Sequence, residues 1–323
     1  MGTHHARVYA ALTGACTLAG VYDPDAERAS TLAERWDAQS YASLEELLRD
    51  VDVVSVASPS SLHFHHTALA LEHGLDVLVE KPLALTVENA RMLERMASLR
   101  AHSPIVQVGH IEHFNPAIVE LRKLVADHEP IAIDMHRLGP FDGRIADTDV
   151  VQDLMLHDIH VLTTLAESPL VRVQASGRRV RSDEHTDYAV ATFVFESGLI
   201  ANLSASRVTE EKIRRLTVTT ADAHITLDSM NRSLELSRWT SLRGSGAGES
   251  AGYRQESVVE RVFVPIEEPL VAQIQSFLRC AADRSEPQVP LRAGTTCLQI
   301  VDAVRECIAA QAATTGAAGV LAL

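Results

Sequence analysis

Residues 51–86 read VDVVSVASPSSLHFHHTALALEHGLDVLVEKPLALT, and their rhythm decides the fold. A short β-branched run, 52–57, is stopped by Ser58-Pro59-Ser60. A His-rich helical stretch, 62–73, ends at Gly74, the residue best suited to a helix C-terminus. A second apolar run, 76–79, leads into Glu80-Lys81-Pro82. Strand, helix and strand with short links form the βαβ unit of a parallel sheet.

The same alternation extends outward on both sides. Residues 3–12 read as a helix, and CTLAGVYD (16–23) as an apolar run ending in an acid. Residues 24–35 open on Pro and continue with good helix formers. Ser43 and Glu46 form a capping box for a helix reaching Asp50. A helix over 86–100 leads to a strand at 105–108. The expectation for this half is a doubly wound α/β sheet, which binds ligands at the carboxyl ends of its strands.

After residue 110 the rhythm changes. Strands are expected at 131–137, 171–181, 187–195, 199–207, 213–220, 223–228 and 232–238, most of them joined by tight turns such as Glu196-Ser197-Gly198. Such a succession predicts a large, mainly antiparallel sheet. Helices at 115–127 and 150–166 are expected to pack on it. The Gly/Ser-rich stretch 243–252 reads as a loop, and helices at 268–284 and 291–311 close the chain, with room to pack back on the first half. The resulting division is 1–109 for the first domain and 110–323 for an α/β domain serving substrate binding and oligomerisation.

The 323 residues suit two domains. Net charge is −14, which argues against nucleic-acid partners and an anionic membrane surface. No apolar run reaches the roughly 18 residues of a membrane span. The N-terminus lacks a secretory signal, and Cys16, Cys280, Cys297 and Cys307 match no zinc or CxxC spacing. A reduced, cytoplasmic protein is expected. Neither His4-His5 nor His63, His65 and His66 has zinc-site spacing, so no metal is expected.

Asp23 ends the second-strand candidate. An acid there accepts hydrogen bonds from a ribose 2′-hydroxyl and repels a 2′-phosphate, favouring NAD over NADP; the alternative is a turn residue before Pro24. The glycine fingerprint belongs before it, and only Gly2 is present. The first strand and two more glycines are expected to occupy roughly a dozen residues upstream of Met1.

Lys81 stands at a strand's carboxyl end, where burial and neighbouring charge tune a lysine; a surface pair with Glu80 is the alternative. Asp153 and His157 are spaced i, i+4 and share a helix face. A carboxylate beside an imidazole orients it as a general base for a hydroxyl group, although a polar helix stripe has the same spacing.

Taken in order, Asp23, VASPSSLH (56–63), VEKPLALT (79–86), VGHIEHFNP (108–116) and DLMLHDIH (153–160) resemble the Gfo/Idh/MocA oxidoreductases. The resemblance implies a Rossmann domain, NAD and hydride transfer from a sugar hydroxyl. It implies Lys81, Asp153 and His157 as the catalytic set, with Gly2, Asp23, Ser58, Pro59, His63, Glu80 and Lys81 along the cofactor. His157 would be the base oriented by Asp153, and Lys81 would stabilise the alkoxide.

The stretches 108–121 and 139–159 are similar to nucleotide-sugar members, UDP-N-acetylglucosamine 3-dehydrogenases in particular. Arg137 and Arg144 flank the loop into the catalytic helix and suit a pyrophosphate, or else form structural salt bridges. His110 and Asn115 suit sugar hydroxyls, Asn115 equally a helix cap near Pro116. His113 and His160 depart from the family pattern. An inositol or simple-sugar dehydrogenase is the nearest alternative, and a non-catalytic sugar sensor the alternative of another class. A homodimer or homotetramer is expected, because the open sheet leaves a face to cover.

Overall fold

The computed structural model describes residues 1–99, 103–141, 148–181, 183–241 and 255–317. The chain forms two compact units, Met1–Asn115 with Glu267–Gln299, and Pro116–Ile266 with Ile300–Leu323.

In the first unit the order is α1 (Gly2–Ala11), β1 (Gly20–Val21), α2 (Ala26–Arg35), β2 (Gln39–Ser40), α3 (Leu44–Asp50), β3 (Val53–Val56), α4 (His63–Glu72), β4 (Asp76–Glu80), α5 (Val87–Ser98) and β5 (Val106–Gly109). All strands run parallel, in two ladders: β1–β2, and β3–β4–β5. Local chemistry sets the helix starts. Asp25, rather than Pro24, caps α2 by accepting from Glu27 N and Arg28 N. Ser43 accepts from Glu46 N, and Thr86 from Asn89 N. Gly74 takes φ +76° after α4, a backbone that side-chain-bearing residues rarely adopt.

β4 is the centre of this unit. Every residue from Asp76 to Glu80 is buried. Val77 and Val79 join a core with Leu71, Ala90 and Leu93 from α4 and α5. Leu78 points the other way, into a core with Val8 and Tyr9 of α1 and Ile274 and Phe277 of the later helix Pro269–Asp283. That double burial explains the unbroken apolar run in the sequence.

The second unit continues with α6 (Pro116–Ala126), β6 (Pro130–Leu138), a π-helical turn Val151–Met155, α7 (Leu156–Ala166), β7 (Leu170–Arg178), β8 (Tyr188–Phe195), β9 (Ile200–Ser206), β10 (Ile213–Thr220), β11 (Ala223–Asp228), β12 (Ser233–Ser241) and β13 (Gln255–Val262). Helix α8 (Pro269–Asp283) lies in the first unit, and α9 (Leu291–Ala317) contributes to both. The sheet order is β13-β12-β11-β10-β6-β9-β8-β7, antiparallel except for β6 beside β9. Gly198, at φ +89°, makes the β8–β9 turn. The inner face buries Ile133, Phe193, Leu203, Val218, Ile225 and Leu236. Strand β13 was not expected from the sequence. The loop reading of 243–252 lies outside the described residues. Among the described residues, no helix is long and apolar enough to cross a membrane.

Candidate active site

In the first unit, the candidate residues follow directly on the parallel strands. Asp23 lies after β1, Ser58 after β3, Lys81 after β4 and His110 after β5. The carboxyl edge of a parallel sheet is where ligands bind, because the crevices between diverging loops open there.

The loops at this edge are cross-tied. His63, 1% exposed, sets Nδ1 2.6 Å from the Pro82 carbonyl oxygen and Nε2 2.9 Å from the Ser58 carbonyl oxygen. It thereby staples the Ser58-Pro59 loop to the Glu80-Lys81-Pro82 loop, where the Lys81–Pro82 peptide is cis. His66 Nδ1 lies 3.1 Å from Ser58 Oγ. Burial, with His65 and His63 alongside, lowers the pKa of His66.

Glu80 is held from below. His5 Nε2 lies 2.9 Å from Glu80 Oε1, and His5 Nδ1 lies 3.2 Å from Ser55 Oγ, which Tyr9 OH meets at 2.8 Å. His5 thus bridges the Glu80 carboxylate and the Ser55 hydroxyl through its two ring nitrogens. Burial outweighs the Ser55 hydrogen bond and raises the Tyr9 phenol well above its usual range. The second Glu80 oxygen accepts from Lys81 N at 3.3 Å. Glu80 is thus a buried anchor fixing the start of the Lys81 loop. Sequence reading missed His5 and Tyr9; their i, i+4 spacing was the available signal.

Gly109 lets the next loop approach. A Cβ there would stand 3.0 Å from Glu80 Cα. His110 follows, fully buried. Burial, reinforced by Lys81 and His113, pushes its pKa down to about 3, so it is a neutral imidazole near the lysine. Asn115 Nδ2 donates to Glu112 Oε2 at 2.9 Å, a contact within its own turn. Among the expected cofactor residues, Gly2 opens α1 and faces open space.

In the second unit, every residue from Asp149 to Leu162 is buried except Asp153, Leu154 and His157. The polar members of that accessible stripe are the expected carboxylate and imidazole. Likewise, between Leu75 and Ala84 only Lys81 escapes burial.

Arg137 forms an internal salt bridge. Its Nε and Nη2 donate to Asp158 Oδ1 at 2.8 and 2.7 Å, with side chains 11% and 6% exposed. A carboxylate buried on α7 needs a compensating cation, and β6 supplies it. This salt bridge is the structural alternative that the sequence left open for Arg137. Arg144 lies outside the described residues.

Comparison with known proteins agrees with this architecture. Residues 1–110 match the oxidoreductase family with an NAD-binding Rossmann fold, and residues 138–226 match the GFO/IDH/MocA C-terminal domain. The chain is 35% identical over 283 residues to UDP-N-acetylglucosamine 3-dehydrogenase of Acidithiobacillus ferrooxidans, covering 87% of this chain and 86% of that one. A crystal structure of that enzyme superposes with a TM-score of 0.85, at 33% identity and 96% and 94% coverage. Inositol 2-dehydrogenase of Acidothermus cellulolyticus is 31% identical over 188 residues, covering 55% of this chain and 54% of that one. The chain belongs to the Gfo/Idh/MocA oxidoreductase family. It is an NAD-dependent dehydrogenase acting on a small molecule.

The residues present fit that cofactor. Asp23 brings a carboxylate to the loop after β1, where its Oδ1 accepts from Asp25 N at 2.9 Å, and the Ser58 and Lys81 loops follow the carboxyl ends of β3 and β4. This donor set suits ribose hydroxyls and an electron-poor ring.

Proposed function

We propose that the protein oxidises a secondary alcohol of a nucleotide sugar, with UDP-N-acetylglucosamine at carbon 3 as the leading substrate. One observation carries the catalytic assignment. Lys81, Asp153 and His157 are the polar side chains left accessible in two otherwise buried stretches. The extensive similarity to the Acidithiobacillus ferrooxidans enzyme supports the substrate. NAD, when bound, supplies the two-electron acceptor.

The chain's own residues manage the proton. His157 takes it from the substrate hydroxyl, and Asp153 orients the imidazole and favours its protonated form. Lys81, fixed through Glu80, stabilises the developing alkoxide. Asp23 holds the adenosine ribose and selects NAD over NADP; Gly2, Ser58, Pro59 and His63 shape the cofactor edge. His110 and Asn115 are assigned to sugar hydroxyls. The active species is assigned as a homo-oligomer.

The test is turnover followed by reduced-nicotinamide absorbance, using UDP-N-acetylglucosamine, free sugars and inositol with NAD or NADP. The nucleotide sugar with NAD should give the highest kcat/KM. His157→Ala and Lys81→Met should each lower kcat by about 10²–10⁴-fold, leaving NAD affinity within about threefold. Higher kcat/KM with inositol overturns the substrate. NAD binding without turnover of any sugar overturns the enzyme reading in favour of a sensor, and full activity in both variants overturns the residue roles.

A further inference from the structure

A π-helical turn is uncommon and recurs at functional sites, where outside contacts hold it. The turn Val151–Met155 carries Asp153, and its restraints are visible. Asp149 Oδ1 accepts from Val151 N and Gln152 N, both at 2.9 Å. The other Asp149 oxygen accepts from Arg305 Nε of α9 at 2.6 Å. Arg305 Nη2 also reaches Gln152 Oε1 at 2.8 Å. Asp149 and Gln152 are 8% and 6% exposed. Asp153 N bonds to Asp149 O at 3.0 Å, so the clamped residue is tied directly to the backbone of Asp153.

Arg305 is a cation among acids. Asp302 and Glu306 sit beside it on α9, and Asp149 faces it. Burial raises the Asp302 carboxyl, Arg305 lowers it, and Glu306 and Asp149 raise it further. A planar fork bridging a carboxylate and an amide fixes both position and orientation, which a lysine's single ammonium cannot do.

We propose that Arg305 is a positioning residue that, through Asp149 and Gln152, sets the π-turn carrying Asp153 and hence the bearing of the carboxylate on His157. This rests on the assignment of Asp153 and His157 made above. Nothing in α9 is required to touch substrate or cofactor.

The experiment compares Arg305→Gln, Arg305→Lys and Asp149→Asn with the parent chain, alongside His157→Ala. Arg305→Gln should lower kcat about 10- to 100-fold, the scale of a displaced reacting group, with KM for NAD and for the sugar within about twofold. Its pH profile of kcat should shift, and Arg305→Lys should recover part of the loss. Asp149→Asn/Arg305→Gln should be no worse than Arg305→Gln alone, as two ends of one contact. Hydrogen exchange supplies a readout independent of turnover: a peptide covering 149–157 should lose protection in Arg305→Gln while β6 and β9 do not. Unchanged kcat and exchange in Arg305→Gln overturn the proposal. So does a general loss of protection with no rescue by lysine. If His157→Ala stays active while the exchange result holds, the catalytic reading fails and the clamp stands.

Discussion

His110 shows how one buried imidazole becomes a thermodynamic signature. Its ordinary value is 6.5, and burial with Lys81 and His113 nearby lowers it to about 3 in the folded chain. Between those values the unfolded chain binds a proton that the folded chain does not. Stability therefore rises with pH across the window and is lost as pH falls from about 6.5 towards about 3. His110→Gln should flatten that dependence: urea unfolding at pH 4, 5, 6 and 7 should show a smaller acid loss than in the parent. Parallel curves would reject the assignment. At this scale the sequence announced side chains whose type and strand-end position coincide, Lys81 and Asp23 among them. It hid those defined by distant partners. Arg137 meets Asp158 across a sheet–helix contact, and Arg305 meets Asp149 from far along the chain. A guanidinium has the same letter whether it binds a phosphate or an internal acid, so sequence left both roles for Arg137 open.

Elements were legible where local physics suffices. Ser43 caps α3 because its hydroxyl accepts from Glu46 N, an arrangement visible in four letters. β4 declared itself by lacking any alternation, since both faces are covered. β13 did not. Gln255-Glu256-Ser257 leads an edge strand whose polar residues resemble a loop. The π-turn was also invisible, because side-chain clamps from elsewhere set it. Ends of elements are tied by the buried pair Asp187–Arg207, between the start of β8 and the end of β9. Arg207 Nε donates to Asp187 Oδ1 at 2.6 Å and Nη1 to the Thr148 carbonyl at 2.7 Å. Burial alone would raise the Asp187 carboxyl. The N–H groups of Arg181 and Val180 and the Arg207 guanidinium together outweigh it and lower the pKa. This contribution is present above the ordinary carboxyl value of 3.8 and is lost as pH falls through the depressed one. Arg207→Met, which removes the cation and leaves the buried carboxylate to its backbone donors, should cost about 3–5 kcal/mol in chemical denaturation. Asp187→Asn/Arg207→Met should lose less than Arg207→Met alone. A single-variant cost below about 1 kcal/mol, the worth of an exposed pair, would show that the pair does not hold these strands.

On the largest scale, the outer face of the eight-stranded sheet bears on assembly. One row of register partners crosses every strand: Gln174, Thr192, Asn202, Asp134, Thr217, Thr226, Glu235 and Arg261. Thr192 donates to Asn202 at 2.9 Å, Asn202 to Asp134 at 3.0 Å and Arg261 to Glu235 at 3.1 Å. Val190, Ile200 and Val259 stand exposed on either side of this polar belt. At ordinary strand spacing the face is roughly 34 Å across and roughly 23 Å along the strands, about 800 Å². That is the area one partner contributes to a stable interface. A two-fold contact through such a face would use the same residues twice. The proposed homo-oligomer is tested through this face. Sedimentation velocity at micromolar concentration should give a multiple of the 35.1 kDa chain mass. Thr217→Arg, which places a bulky cation within the belt, should return the 35.1 kDa species with an unchanged circular dichroism spectrum. A monomeric parent chain defeats assembly altogether, and an oligomeric Thr217→Arg moves the contact to another surface.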